Sequence, residues 1–428
     1  MYVQIMVAVI VVLLLLGAPL YLSFMAGCIT YFILNPGLSL MMLPQKMVVS
    51  MDSFNFLAIP FFMLAGQIMN RGGITKRIFH FADTLVGKYP GGLGYVNILS
   101  SFIFSGMSGS ALADIGGLGV IEIQTMREAG YDDDFSIGVT AASSTIGPIV
   151  PPSLPFVSFA IFGNVSVGAL FMAGFVPGFV MVITLSIMTY IYTKKHHYPK
   201  GLAYPFREKV HSFIESFWAL LSPVLLIAGI WGGWYTPTEA ALVCALWSIF
   251  VGIFVYRDMK WKDIIPVLTE TFKMLIPIVT IIVSSVLMAF IVSYEGLTDT
   301  IYMAISSVTT NKYVFLLMLN VLLLILGMFL EGTAITVLLV PILVPVAAGF
   351  GINPIHLGVI FELNIMIGLL TPPMGLSLYL ISTVTGKTFA QVRRAVLPWL
   401  VPLLVALGVV TYWEDFVLLI PRLTGVIR

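Results

Sequence analysis

Two proline pairs, Pro151-Pro152 and Pro372-Pro373, interrupt long apolar segments, and each follows a glycine, Gly147 and Gly368, by a few residues. Proline has no amide hydrogen and its ring clashes with the preceding turn, while the residue before it is pushed out of helical geometry. Gly147-Pro148 with Pro151-Pro152, and Gly368 with Pro372-Pro373, therefore predict helices unwound near their centres. Unwinding turns carbonyl oxygens inward, and these are hard ligands suited to a small cation such as Na⁺. The half-helix that follows presents free amides to an anion. Ser143, Ser144 and Thr145 before the first break, and Asn364 and Thr371 at the second, add side-chain oxygens.

Each break has a companion segment. Gly94–Thr125 is too long for one membrane crossing and too short for two joined by a polar loop. Its middle, Ser105-Gly106-Met107-Ser108-Gly109-Ser110-Ala111-Leu112-Ala113-Asp114-Ile115-Gly116-Gly117, is rich in small and hydroxyl residues, which suits a re-entrant hairpin. Non-helical backbone at that depth is tolerated only where it is buried in protein or lines a cavity. The counterpart is Leu326–Gly349, with Glu331-Gly332-Thr333-Ala334 at the corresponding turn. Hairpins and breaks together predict paired Na⁺ sites, one per half. The expected ligands are Ser105, Ser108, Ser144 and Gly147 in the first, and Glu331, Gly332, Gly368 and Thr371 in the second. Substrate is expected between them, at Ser108, Ser110, Asp114, Ser153, Thr333 and Asn364. Pro148, Pro151, Pro152, Pro372 and Pro373 are helix breakers that leave neighbouring groups free to bind. A single Pro-Gly break is commonly just a kink; two at matching positions, each beside such a hairpin, argue for a site.

Acids inside apolar segments are functional candidates by default. Asp114 admits two readings of equal standing, an ion ligand or a cap on the hairpin's second helix. Glu239 and Glu362, in apolar spans, read as structural.

The elements that position these residues repeat. A shift of 221 places Gly106-Met107 on Gly327-Met328, Gly130 on Gly351, Ile146–Pro152 on Ile367–Pro373 and Pro177 on Pro398. A shift of 223 places Gly73-Ile74-Thr75 on Gly296-Leu297-Thr298. Five matches in order mark a duplicated fold unit. If 3–16, 18–34, 54–69, 135–163 and 168–193 cross the membrane, each half has five spans, and an odd number inverts the second half. Inverted repeats are the architecture of secondary transporters. The expected units are 1–193, with a hairpin at 94–125 and a broken helix at 135–163, and 212–428, with a hairpin at 313–349 and a broken helix at 355–383.

Composition demands lipid. The chain of 428 residues is 59% hydrophobic and 10% charged, with a mean hydropathy of +1.04. A soluble domain keeps about a quarter of its residues charged. Runs such as Val3–Leu16, Ala219–Gly233 and Val314–Leu330 are tolerable all round a helix only in a bilayer. The fold expected is an all-α polytopic membrane protein. A net charge of +1 gives no field for nucleic acid. Cys28 and Cys244 sit among apolar residues and read as packing groups. No Lys or Arg precedes Lys46, so the first apolar run lacks a signal peptide's charged start and reads as a retained span. Pro44–Ser53 and Trp261–Phe272 look like amphipathic helices near the membrane surface. Residues 194–211 form a basic loop with Lys194, Lys195, Lys200, Arg207 and Lys209 against Glu208, expected to be cytoplasmic. His196 and His197 within it read as solvated.

The same residues carry a resemblance. Gly109-Ser110-Ala111-Leu112-Ala113-Asp114, Gly130-Tyr131, Gly147-Pro148-Ile149-Val150-Pro151-Pro152-Ser153, Thr236-Pro237-Thr238-Glu239-Ala240-Ala241 and Gly368-Leu369-Leu370-Thr371-Pro372-Pro373 together resemble the large membrane subunit of tripartite ATP-independent periplasmic (TRAP) transporters, DctM or SiaM type. The resemblance spans nearly the whole chain. It implies an elevator-type fold with a mobile transport domain against a scaffold, in a bacterial cytoplasmic (inner) membrane. It implies Na⁺-driven uptake of small carboxylates delivered by a periplasmic substrate-binding protein, with a small four-helix membrane subunit as partner. That subunit is fused to the N-terminus in some members; here the chain begins at the first span, so a separate one is expected. The family's hairpins and breaks match Ser105–Asp114, Ser143–Pro152, Glu331–Ala334 and Gly368–Pro373. Pro151–Phe156 followed by Asn164-Val165-Ser166-Val167-Gly168 resembles the sialic-acid members.

Two rivals come from other classes. A stand-alone ion-coupled carboxylate transporter shares the broken-helix physics and differs only in the family motifs. An intramembrane hydrolase needs a base beside a nucleophile or a metal motif. The five histidines, His80, His196, His197, His211 and His356, give no such dyad at bilayer depth.

Overall fold

A computed structural model describes residues 1–52 and 54–427, apart from the side chains of Ser50, Asn55, Gly106, Met107, Ser108 and Ala113. The first half runs α1 (Tyr2–Leu15), α2 (Leu20–Leu34), α3 (Met42–Met51), α4 (Ala58–Arg71) and α5 (Ile74–Val86). A hairpin follows: α6 (Gly92–Ser108) goes in, and α7 (Ala111–Asp114), a π-helical turn Ile115–Gly119 and α8 (Val120–Glu128) come back. The broken helix comprises α9 (Asp133–Ser143), a single 3-10 turn Ser144–Ile146 and α10 (Leu154–Gly163), and α11 (Val167–His196) ends the half. The second half runs α12 (Phe206–Trp231), α13 (Pro237–Phe250), α14 (Ile264–Tyr294) and α15 (Leu297–Val308). Its hairpin is α16 (Lys312–Phe329) with α17 (Gly332–Gly349), and its broken helix is α18 (Pro354–Gly368) with α19 (Leu376–Thr385). The end of the chain forms α20 (Phe389–Val396), α21 (Leu400–Tyr412), α22 (Glu414–Val417) and α23 (Leu419–Leu423). Among the described residues seven helical stretches are long and apolar enough to cross a membrane. The protein is an all-α, multi-pass membrane protein.

Local chemistry sets the helix ends. Asp132 Oδ1 accepts from Phe135 N at 2.7 Å and starts α9; Asn353 Oδ1 accepts from Ile355 N at 2.8 Å and starts α18. These caps are 221 residues apart, the offset of the repeat. Gly130 (φ 85°) and Gly351 (φ 70°) share the left-handed region two residues before each cap, and Gly73 (φ 69°) and Gly296 (φ 63°) share it before α5 and α15. Glycine reaches that region without strain. Both proline pairs, Pro151-Pro152 and Pro372-Pro373, are joined by cis peptides. Pro177 and Pro398 differ: one lies inside α11, the other in a 3-10 turn ahead of α21. Glu239 closes a capping box with Thr236 at the exposed start of α13, a structural role as expected from the sequence.

The halves interlock. α9 packs against α20, and α10 against α17 and α18. A side chain at Gly138 of α9 would overlap the Trp399 ring, 2.3 Å away. Asp133 is bonded to Arg127 at 2.6 Å and also to Lys387 of the second half.

Three expectations are corrected. The basic loop is shorter than 194–211: α11 runs through His196 and α12 starts at Phe206, so only 197–205 is non-helical. Lys194 and Lys195 sit on the last turn of α11, where the helix dipole favours cations. Trp261–Phe272 is not a separate surface helix, because after a 3-10 turn Trp261–Asp263 it continues into the 31-residue α14. The second hairpin turns at Leu330 and Glu331 alone, and Gly332–Ala334 already belong to α17.

Candidate functional site

The hairpins exist to reach the breaks. In the second half the first helix of the hairpin meets the break backbone to backbone. A Cβ on Gly368 would lie 2.6 Å from Cα of Gly327, and one on Gly327 would lie 2.9 Å from Cα of Gly368. Gly375 N, at the start of α19, donates to Met328 O at 3.1 Å. In the first half Gly109 (φ 58°) lets the hairpin tip turn, and a Cβ there would meet Pro152 O at 2.7 Å. The next residue, Ser110, packs close to Gly147.

Between the tips lies a cavity of about 1410 Å³. Ser110 and Pro148 line it from the first half, and Glu331, Gly332 and Thr333 from the second. The structure thus brings these five sequence-selected positions to one space. Arg71, Lys76, Arg77 and His80 line the same cavity. Arg71 is paired with Glu270 and Arg77 with Asp258, each at 2.6 Å, whereas Lys76 has no ion-pair partner among the described residues.

Other selected residues serve the backbone. Ser105 donates to Phe102 O at 2.5 Å, Ser144 to Ala141 O at 2.8 Å and Thr371 to Ile367 O at 2.7 Å. Their protons are spent, but each hydroxyl oxygen keeps lone pairs for a ligand. Ser153 is buried, donates to Pro148 O and accepts from Phe156 N at 3.1 Å, so it caps α10. Asn364 is buried, donating to Asn320 Oδ1 at 2.8 Å. Neither lines the cavity. Glu331 caps α17, accepting from Ala334 N at 3.3 Å and from Thr333 Oγ1 at 2.9 Å. Gly147 and Gly368 are buried at their breaks. The side chain of Ser108 lies outside the described residues.

Asp114 does not cap the returning helix: its side chain makes no capping bond. It is buried, accepts from Ser101 Oγ at 3.0 Å through Oδ2, and leaves Oδ1 without a partner. Two acids join it. Glu122, which the sequence reading did not select, is buried, accepts from Asn97 Nδ2 at 2.8 Å through Oε2 and leaves Oε1 without a partner. Glu362, read as structural, lines the cavity beside Thr336 Oγ1 at 3.5 Å with Oε2 unpartnered. Among the described residues none of the three forms an ion pair. A buried carboxylate without a counter-charge calls for a cation or a proton. Glu122 lies in the same apolar segment, 94–125, as Asp114, so an acid there carries the same signal. Among the described residues no cluster of three His, Cys, Asp or Glu has metal-binding geometry.

Comparison with known proteins gives a consistent result. The family described as "Tripartite ATP-independent periplasmic transporter, DctM component" matches residues 7–416. The chain is 45% identical over 414 residues to the sialic acid TRAP transporter large permease protein SiaM of Vibrio cholerae, covering 96% of each. It is 38% identical over 401 residues to the C4-dicarboxylate TRAP transporter large permease protein DctM of Pseudomonas aeruginosa, covering 94% of each. The fold is similar to that of the Alcanivorax borkumensis YdaH transporter, with a TM-score of 0.68 at 14% identity over 90% of each chain.

Proposed function

The chain belongs to the DctM family of TRAP transporters, and on that premise we propose that it is the translocating subunit of a Na⁺-coupled importer of small organic acids, sialic acid first among them. One observation carries the reading: the cavity where both hairpin tips and the first break meet Lys76, a cation with no ion-pair partner among the described residues. An organic acid entering there finds Lys76 for its carboxylate and the hydroxyls of Ser110 and Thr333 for its polar groups. Asp114 and Glu362, buried without counter-charge, favour a coupling cation close by. Na⁺ fits the oxygen-only donor set of Ser144, Thr371 and the break carbonyls around Gly147 and Gly368 better than a softer metal does. The preference for sialic acid rests on the higher identity to the relative named for it, 45% against 38%.

The hairpins and breaks would move together as an elevator against the remaining helices, in a bacterial inner membrane. A periplasmic binding protein would deliver the acid, and a small four-helix membrane subunit would complete the complex. The test is reconstitution in liposomes with labelled sialic acid or C4-dicarboxylate, the small subunit and candidate binding proteins, with and without a Na⁺ gradient. Uptake requiring both gradient and binding protein supports the reading. Uptake indifferent to both overturns it.

A further inference from the structure

A second cavity, of about 860 Å³, lies between α6 and α11 beneath the turn at 86–90, and it shares no lining residue with the first. Lys194, His197 and Lys200 line its polar end, Tyr95 and Tyr190 its sides, and no carboxylate lines it. Lys194 and Lys200 have no ion-pair partner among the described residues. The main chain around Lys200 is fixed against the turn at 86–90. Lys200 is bridged to Pro90, with Gly91 N donating to Pro199 O and Gly201 N to Gly87 O, both at 3.1 Å. Thr193, on the same wall, is nine-tenths buried and its hydroxyl has no hydrogen-bond partner among the described residues.

The apolar approach matters as much as the charge. Phe179, Ile183, Ile187 and Ile191 recur every four residues along α11, each more than half exposed. That spacing puts them on one face of the helix, beside the groove face that carries Val182, Ser186, Tyr190 and Lys194. An apolar stripe ending in unpaired cations, flanked by tyrosines, has the layout of an acyl chain and its headgroup at a membrane interface. The basic loop places this end on the cytoplasmic side, where anionic lipids give the leaflet its negative surface potential.

We propose that the groove between α6 and α11 binds an anionic phospholipid, its phosphate held by Lys194 and Lys200 and one acyl chain lying along the Phe179–Ile191 stripe. The lipid would bear on the first hairpin, because α6 is one wall of the groove. A free anion satisfies the charges but leaves the stripe unfilled, and a zwitterionic lipid fills the stripe but brings its own cation.

The test is native mass spectrometry of the full chain in mild detergent, titrated with phosphatidylglycerol or with phosphatidylcholine of the same acyl chains. Phosphatidylglycerol is expected to bind and phosphatidylcholine to bind at least tenfold more weakly. Each lysine is expected to contribute about fivefold, so Lys200→Gln weakens binding about fivefold and the Lys194→Gln/Lys200→Gln pair on the order of twentyfold. Lys195→Gln, outside the groove, is expected to bind as the parent does. Unchanged binding in the single and double variants, or equal binding of the two lipids, overturns the proposal. Displacement of the lipid by millimolar inorganic phosphate also overturns it, since the site would then be one for a free anion. The single Lys200→Gln variant keeps the test valid should the double variant fail to fold.

Discussion

Asn364 donates a side-chain hydrogen bond to Oδ1 of Asn320 at 2.8 Å, deep in the protein, and so ties the broken helix α18 to the first helix of its own hairpin. The first half has the same tie: Ser143, 221 residues before Asn364, donates to Oδ1 of Asn97, 223 residues before Asn320, at 2.5 Å. The two offsets are those read from the sequence. In the first half Asn97 Nδ2 adds a second bond to the same helix, donating to Thr140 Oγ1 at 2.7 Å, so in each half a buried side-chain amide links the hairpin to its break.

Breaking that tie strands a buried amide. Asn364→Ala and Asn320→Ala are each expected to destabilise the protein by about 1–3 kcal/mol. The double variant is expected to lose less than the sum, since the two share one bond. Thermal unfolding of the purified protein in detergent checks this, and strict additivity would show that the bond contributes nothing.

Gly327 and Gly368 have no room for a methyl group. Gly327→Ala and Gly368→Ala are expected to lower stability by about 1–3 kcal/mol and to abolish uptake, because the hairpin can no longer seat on the break. Gly408→Ala is the control: that helical glycine has nothing within 4 Å. It is expected to fold and transport normally.

Ser153 and Thr371 separate capping from binding. Ser153→Ala is expected to lose about 1 kcal/mol of stability while leaving the Na⁺ and substrate concentration dependence of uptake unchanged. Thr371→Ala is expected to raise the Na⁺ concentration for half-maximal uptake about three- to tenfold in a folded protein, and Ser108→Ala to weaken Na⁺ dependence similarly. Unaltered Na⁺ activation in both would remove those two residues from the ion site.

Asp133 sets a pH dependence. Its partial burial opposes ionisation, but the bonds from Lys387 and Arg127 outweigh that and hold its carboxyl below the ordinary carboxylate range. A lowered folded pKa stabilises above the unfolded value, about 4, and the contribution disappears as pH falls through the lower folded one. The parent is therefore expected to melt higher than Asp133→Asn by a constant margin above about pH 5, and that margin is expected to close below about pH 4. A margin independent of pH would dissociate the ion pairs from stability.

Proline and glycine punctuation made the breaks and the hairpins legible, because those residues impose backbone geometry locally. The roles of Ser153, Asn364 and Glu362 were not legible. α18 is buried from Ile355 to Gly368, and a helix surrounded by protein carries no polar face to show which residue points at a cavity and which at a neighbour. Asn364 is assigned only by its contact with Asn320, which the sequence separates by 44 positions. Glu331 shows the converse: a carboxylate read as an ion ligand is also the cap that starts α17, a use its position just before Gly332 could have suggested.

The interlocked halves also impose an order in time. Asp133 is synthesised about 250 residues before Lys387, and Gly138 well before the Trp399 ring that fills the space against it. At ribosomal speeds of about 5–20 residues per second, that interval is roughly 12–50 s. Throughout it the first broken helix lacks the second-half partners, α17, α18 and α20, that cover part of it. The nascent first half is thus an unfinished surface, dependent on lipid or on the insertion machinery for shelter until its mate arrives.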